Sequence, residues 1–205
     1  MASAEDLASL ELYKELMEEV KARTSSINTL TSDQRGIPSP LVREYCYLQL
    51  RMLCELIALG CLVAHGDIVA SSPTSLRTAY APAEILRRLE ALHPDFYPVP
   101  VIPTQTTTGW HLGDYDDRPF LTKKDLIVLW GRCGDVLHRG NLKKLIGPRT
   151  PTQRNFTDVG EWGQKVLNLL SAHRLVRLGS RVTFVTFLQV DHLGGAVQVV
   201  IGEAP

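Results

Sequence analysis

At 205 residues the chain has single-domain length and is long enough to bury a substantial core. A composition of 44% hydrophobic and 21% charged residues excludes a disordered chain. The formal net charge of +0 excludes a strong global pull toward nucleic acid or an acidic membrane, so any polyanion contact has to come from a local patch.

The opening run, MASAEDLASLELYKEL, is acidic and lacks the basic flank and apolar stretch of a signal peptide, which gives a cytoplasmic expectation. Ser3 and Asp6 have capping-box spacing, and Leu10, Tyr13, Met17 and Val20 form one apolar stripe at the helical period. This helix is expected to fade at Ser25–Ser26. Gly36, Pro38 and Pro40 mark a connection, with Ser39 and Pro40 as an N-cap and N1 pair.

The second helix is expected to run to about His65, ending at Gly66, and is apolar over much of its circumference. Arg51 and Glu55, spaced i, i+4, would cost several kcal/mol at mid-membrane, so a central bundle helix is the reading and no membrane contact is expected. Cys46, Cys54 and Cys61 recur along it at helical spacing and read as small core residues in a reduced compartment. Neither they nor Cys133 has zinc-like spacing with histidine, so no metal or other cofactor is indicated.

A third helix is expected from Pro82 to about Leu92, with Ile85, Leu86, Leu89 and Leu92 inward and His93–Pro94 as its stop. Residues 94–120, with Pro98, Pro100 and Pro103, read as an irregular loop: a lid, a partner contact or a surface arm. Thr122 and Asp125 form a capping box for a fourth helix whose stripe is Leu126, Leu129, Trp130, Cys133 and Leu137, with Gly140 at its end. Thr157 and Asp158 start a fifth, with Trp162, Val166, Leu169 and Leu170 inward. RVTFVTFLQV and AVQVVI, on either side of Gly194–Gly195, read as a hairpin. The expected architecture is mainly α (α+β): a single domain with a five-helix bundle over 1–178 and a C-terminal antiparallel β-hairpin over 179–205.

The fourth helix carries the segment with chemistry in it, Gly131-Arg132-Cys133-Gly134-Asp135-Val136-Leu137-His138-Arg139-Gly140-Asn141. An arginine, five intervening residues and a histidine at the end of a bundle helix resembles the motif of the HEPN families. That resemblance implies a helical bundle, often dimeric, which in many members is a metal-independent ribonuclease of toxin, defence or RNA-processing systems. In other members it binds nucleotides or only mediates association. By the resemblance Arg132 and His138 fill the motif positions.

The chemistry suits those residue types. Metal-independent RNA cleavage needs a base for the 2′-hydroxyl proton, and histidine titrates in the right range. It also needs a cation for the phosphorane charge, and arginine stays charged and presents a planar fork. Asp135, three residues before His138, is placed to hold the imidazole tautomer. Arg139, Lys143, Lys144, Arg149 and Arg154 follow with no acid between Asp135 and Asp158, a local basic patch for an RNA backbone.

Six steps along a regular helix set Arg132 and His138 about 9 Å apart along the axis and roughly 120° apart around it. A distortion at Gly134 or Gly140, or a second copy of the chain, is then required to aim both at one phosphate. Structural readings stand beside the chemical ones. Arg132 can pair with an acidic neighbour, and His138 can answer the helix dipole. Asp135 and Arg139 can form a surface ion pair, and the basic run can be a solvated loop. The leading expectation is a HEPN-like metal-independent endoribonuclease or RNA-binding protein, with RNA as partner and a homodimer as assembly. The alternative is a non-catalytic HEPN-like dimerisation or protein-interaction module.

Overall fold

The computed structural model describes residues 4–66, 76, 78–107, 109–138, 155–177 and 182–203. Five α-helices and a five-stranded sheet occur among them: α1 (Ala4–Ser32), α2 (Ser39–Ala64), α3 (Pro82–Leu92), β1 (Val99–Thr106), β2 (Gly109–Asp114), α4 (Lys123–Leu137), α5 (Thr157–Leu170), β3 (Ala172–Val176), β4 (Val182–Val190) and β5 (Ala196–Glu203). The class is mixed α+β. The sheet is antiparallel throughout, in the order β2-β1-β3-β4-β5.

The helix starts follow local chemistry. At α4 the Thr122 side chain accepts from the Asp125 backbone N–H at 3.1 Å, and the Thr122 N–H donates to the Asp125 carboxylate at 3.3 Å. Proline stands in the first turn of both α2 and α3, where its missing N–H costs nothing. Ser3 lies outside the described residues. The first helix does not fade at Ser25–Ser26. The hydroxyls of Thr24, Ser26, Thr29 and Thr31 bond back to carbonyls three or four residues earlier, and Ile27 is buried, so the helix continues to Ser32.

α2 is the central helix. Leu50, Leu53, Cys54, Ala58 and Cys61 are fully buried. α1 crosses it at Gly60, where an added Cβ would lie 3.1 Å from Tyr13 Cε2. α4 packs on another side through Leu126, Leu129 and Cys133. By length and hydropathy α2 could cross a membrane, yet 61% of that apolar window is buried inside the protein. Burial pushes the thiols of Cys46 up to about 11 and of Cys61 and Cys133 up to about 12, so all are protonated core groups. Leu92, expected inward, is 42% exposed at the end of α3.

Two sequence expectations need correction. Residues 94–120 are not an irregular loop, because β1 and β2 form an antiparallel hairpin in register from Val101↔Asp114 to Thr106↔Gly109. The prolines masked it: β1 tolerates Pro100 and Pro103 because it meets β3 at only two positions, Val99↔Arg174 and Pro100↔His173. The C-terminal hairpin is real, with Gly194 and Gly195 at positive φ in its turn, but β4 also pairs with β3. The expected boundary at 178 therefore falls after the sheet has begun, and five strands replace the expected two.

The sheet seats against the bundle through Phe184, Leu188 and Val197. His173 of β3 is wholly buried there. Its Nδ1 lies 3.0 Å from the Leu170 carbonyl, which can only accept, so Nδ1 carries the proton and Nε2 accepts from the Tyr13 hydroxyl at 2.7 Å. Arg177, also buried, pairs with Asp6 in the first turn of α1. Helix and sheet are joined by these polar contacts as well as by apolar area.

Candidate functional site

Arg132 lies on the flank of α4 that faces the start of α5. Its Nη2 donates to Asp158 Oδ2 at 3.1 Å. Asp158 is the hub of a polar cluster. Arg43 Nη1 donates to its Oδ1 at 2.9 Å, Arg43 Nη2 bonds its Oδ2, and the Tyr47 hydroxyl donates to Oδ2 at 2.6 Å. Arg43 and Tyr47 are one turn apart on α2, so this carboxylate joins α2, α4 and α5 at one point. Burial alone would raise the Asp158 pKa, but the Arg43 and Tyr47 bonds outweigh it and hold the carboxyl below its ordinary range. Burial, and the carboxylate beside it, push the Tyr47 phenol up to about 12, so it donates and is not ionised.

The two arginines differ in exposure. The Arg43 side chain is 11% exposed and takes up both carboxylate oxygens; that of Arg132 is 46% exposed and makes one bond to a described residue. A guanidinium carries five N–H donors, so Arg132 keeps donors beyond the one it gives to Asp158. The cluster of two arginines and one carboxylate carries one net positive charge, presented by Arg132.

His138 is exposed and is the C-cap of α4. The helix stays regular through Gly134 to Leu137, and the His138 backbone N–H still bonds the Gly134 carbonyl at 3.0 Å. The distortion that would turn Arg132 and His138 toward each other is therefore absent at Gly134. Trp130 marks the opposite flank of α4 from Arg132: its Nε1 donates to Glu55 at 3.3 Å and its ring carries the Arg51 guanidinium at 4.7 Å. On this helix His138 is roughly 80° from Trp130 and 120° from Arg132. The regular helix thus sets the two motif residues on different sides of α4. Asp135 is exposed, with no hydrogen bond or ion pair to any described residue, His138 included.

Arg139, Lys143 and Lys144, expected to guide an RNA backbone, lie outside the described residues, as does Gly140. Among the described residues no three His, Cys, Asp or Glu side chains converge as a metal site requires. A polar hollow of about 370 Å³, lined by Lys21, Thr24, Asn28 and Gln189 among others, opens between α1, α5 and β4 and does not include the Arg132 cluster.

Sequence reasoning reached Arg132 but missed its three partners. Asp158 has the position of a helix-start residue and reads as such, whereas its side chain is turned inward. The available signal was Arg43 and Tyr47, an i, i+4 pair of donors on a largely buried helix, which needs an acceptor from elsewhere.

Comparison with family models, with curated protein sequences and with solved structures gives no match.

Proposed function

We propose that this chain is a HEPN-like protein that binds RNA through its phosphate backbone, with Arg132 as the phosphate contact. The observation that carries the reading is the Asp158-anchored, half-exposed guanidinium of Arg132. A carboxylate that fixes one N–H of an arginine leaves the rest of the planar fork pre-oriented, which lowers the ordering cost of binding a phosphate. In sequence Arg132 lies just upstream of the acid-free basic run that begins at Arg139.

Metal-independent endoribonuclease activity is the catalytic form of the same proposal. His138 takes the 2′-hydroxyl proton, Arg132 stabilises the charge on the phosphorane, and Asp135 orients the imidazole. Because Arg132 and His138 diverge on a regular helix, that form needs a distortion at Gly140 or His138 from a second copy.

A second reading has its own support. The occupation of Arg132 by Asp158, and its separation from His138, suit a non-catalytic HEPN-like dimerisation or protein-interaction module in which the cluster only holds three helices together.

Labelled single-stranded RNA incubated with the protein in EDTA separates these readings. Binding weakened in Arg132→Ala, with the fold intact, supports RNA recognition. Cleavage to 2′,3′-cyclic phosphate ends, abolished in both Arg132→Ala and His138→Ala, adds catalysis. Neither binding nor cleavage by well-folded protein, across several RNAs, leaves the interaction module.

A further inference from the structure

The polar hollow between α1, α5 and β4 lies apart from the Arg132 cluster, and its hydrogen-bonding groups can be counted one by one. Thr24 and Leu188, 3% and 4% exposed, are its most buried lining residues. The Thr24 hydroxyl donates to the Val20 carbonyl at 2.8 Å, so only its lone pairs remain for another molecule. The Ser171 hydroxyl is committed in the same way, to the Leu167 carbonyl at 2.7 Å. Lys21 donates to the Gly195 carbonyl at 2.7 Å and pairs with Glu18 at 2.5 Å, which leaves it one N–H and offsets its charge. Ser25, Asn28 and Gln189 are exposed along the rim, and their side chains bond no described residue. Each of these three offers both a donor and an acceptor.

These counts decide what the hollow can hold. A phosphate or carboxylate only accepts, and would face the committed oxygens of Thr24 and Ser171 beside a lysine that already has its counter-charge. A cation would face Lys21. A wholly apolar body would cover the two amides and strip them of water with nothing in return. A hydroxyl both donates and accepts, so several hydroxyls on one small frame answer every polar group present. Leu167 and Leu188 supply an apolar surface for the C–H face of a ring. A volume of about 370 Å³ is at the small end of ligand sites, room for a ring and not for a chain.

We propose that this hollow binds a neutral, hydroxyl-rich ring of monosaccharide size, either a free sugar or the ribose of an uncharged nucleoside. Thr24 and Ser171 accept from its hydroxyls, Lys21 donates to one, and Asn28 and Gln189 hold neighbouring hydroxyls from the α1 and β4 walls. The site is separate from the phosphate contact at Arg132, and the inference does not rest on the RNA reading.

Saturation-transfer NMR on the full chain, with D-glucose, D-ribose and uridine as millimolar probes, is the test. Sugars also stabilise proteins by exclusion from their surface, so a melting temperature would mix binding with a solvent effect, whereas saturation transfer needs contact. The expected result is transfer to the ring protons of at least one probe. Transfer to glucose or ribose assigns a free sugar; transfer to uridine alone assigns a nucleoside. Asn28→Ala and Gln189→Ala are each expected to weaken binding roughly fivefold, the worth of one hydrogen bond. Ser25→Trp, which fills the mouth of the hollow, is expected to abolish it, all with unchanged circular dichroism. The phosphorylated form of whichever probe binds is expected to bind more weakly than its parent. No transfer to any probe overturns the proposal. So does transfer that survives both Ser25→Trp and the Asn28→Ala/Gln189→Ala double variant, or a phosphorylated form that binds as tightly as its parent.

Discussion

Arg43 and Arg132 share one acceptor, the Asp158 carboxylate, from opposite environments: the first guanidinium is nearly enclosed and the second half in solvent. The same carboxylate therefore has a structural face and an outward one. Removing it strands Arg43 without its bidentate partner, and breaking a buried pair in this way costs about 3–5 kcal/mol. Truncating Arg132 removes one partly solvated bond, worth less than about 1 kcal/mol. Urea unfolding of Asp158→Ala and Arg132→Ala is expected to show this contrast. Equal destabilisation would mean that Arg132 is as much a structural residue as Arg43.

If Arg132 is a phosphate contact, its removal lowers RNA affinity similarly for all sequences and flattens the salt dependence. On a single strand, neutralising one phosphate fewer reduces the slope of log K against log salt by roughly 0.7. Fluorescence anisotropy with a labelled oligonucleotide over a salt series measures it. An unchanged slope in Arg132→Ala would place the phosphate contacts elsewhere.

Acid sensitivity follows from His173. Burial lowers its pKa to about 4 from the ordinary 6.5, although the Leu170 carbonyl bond works in the opposite direction. The unfolded chain therefore takes up a proton below about pH 6.5 that the folded chain refuses until about pH 4. Stability is full above 6.5 and falls as pH drops through that window, by on the order of 3 kcal/mol for this group. Asp158, whose carboxyl is also depressed, adds a loss at lower pH still. Thermal unfolding from pH 7 to 4 checks the slope, and His173→Gln is expected to flatten its upper part.

Two helical glycines give opposite signs. Gly160, on the exposed side of α5, has open space where a Cβ would sit, so Gly160→Ala is expected to stabilise by about 0.5–1 kcal/mol. At Gly60 the added methyl would press on Tyr13, which is held by His173 and has no room to yield. Gly60→Ala is expected to destabilise by about 1 kcal/mol or more. Thermal melts of the pair measure both; a stabilising Gly60→Ala would mean that α1 can slide along α2.

How much of this could be read in the sequence depended on whether the signal was local. The capping box at Thr122 and Asp125, the start of α3 at Pro82 and the glycine turn at 194–195 each report on their own few residues and appear as read, whereas α2 begins one residue early, with Pro38 rather than Ser39 as its N-cap. β1 was hidden by its prolines, and β3 by its position directly after α5. Their main partners, β2 and β4, are the next strands along the chain, so composition and position hid them rather than distance. The site divides by distance instead. Arg132 and His138 were found from their spacing, whereas the bonds from Arg43 and Tyr47 to Asp158 span 115 and 111 positions, and only the i, i+4 spacing of the two donors hints at them locally.

The bonds that finish α1 come from the other end of the fold. Glu18 accepts the Val197 backbone N–H at 2.6 Å, and Lys21 donates to the Gly195 carbonyl at 2.7 Å, across sequence separations of 179 and 174. On the ribosome α1 would be made early and would wait for β5 before these groups find their partners. Pairings of that span slow folding and tie it into one cooperative event. A nascent chain stalled before β5 would leave Glu18 and Lys21 without these partners and would leave the β5-facing edge of β4 unpaired, an open template for another strand.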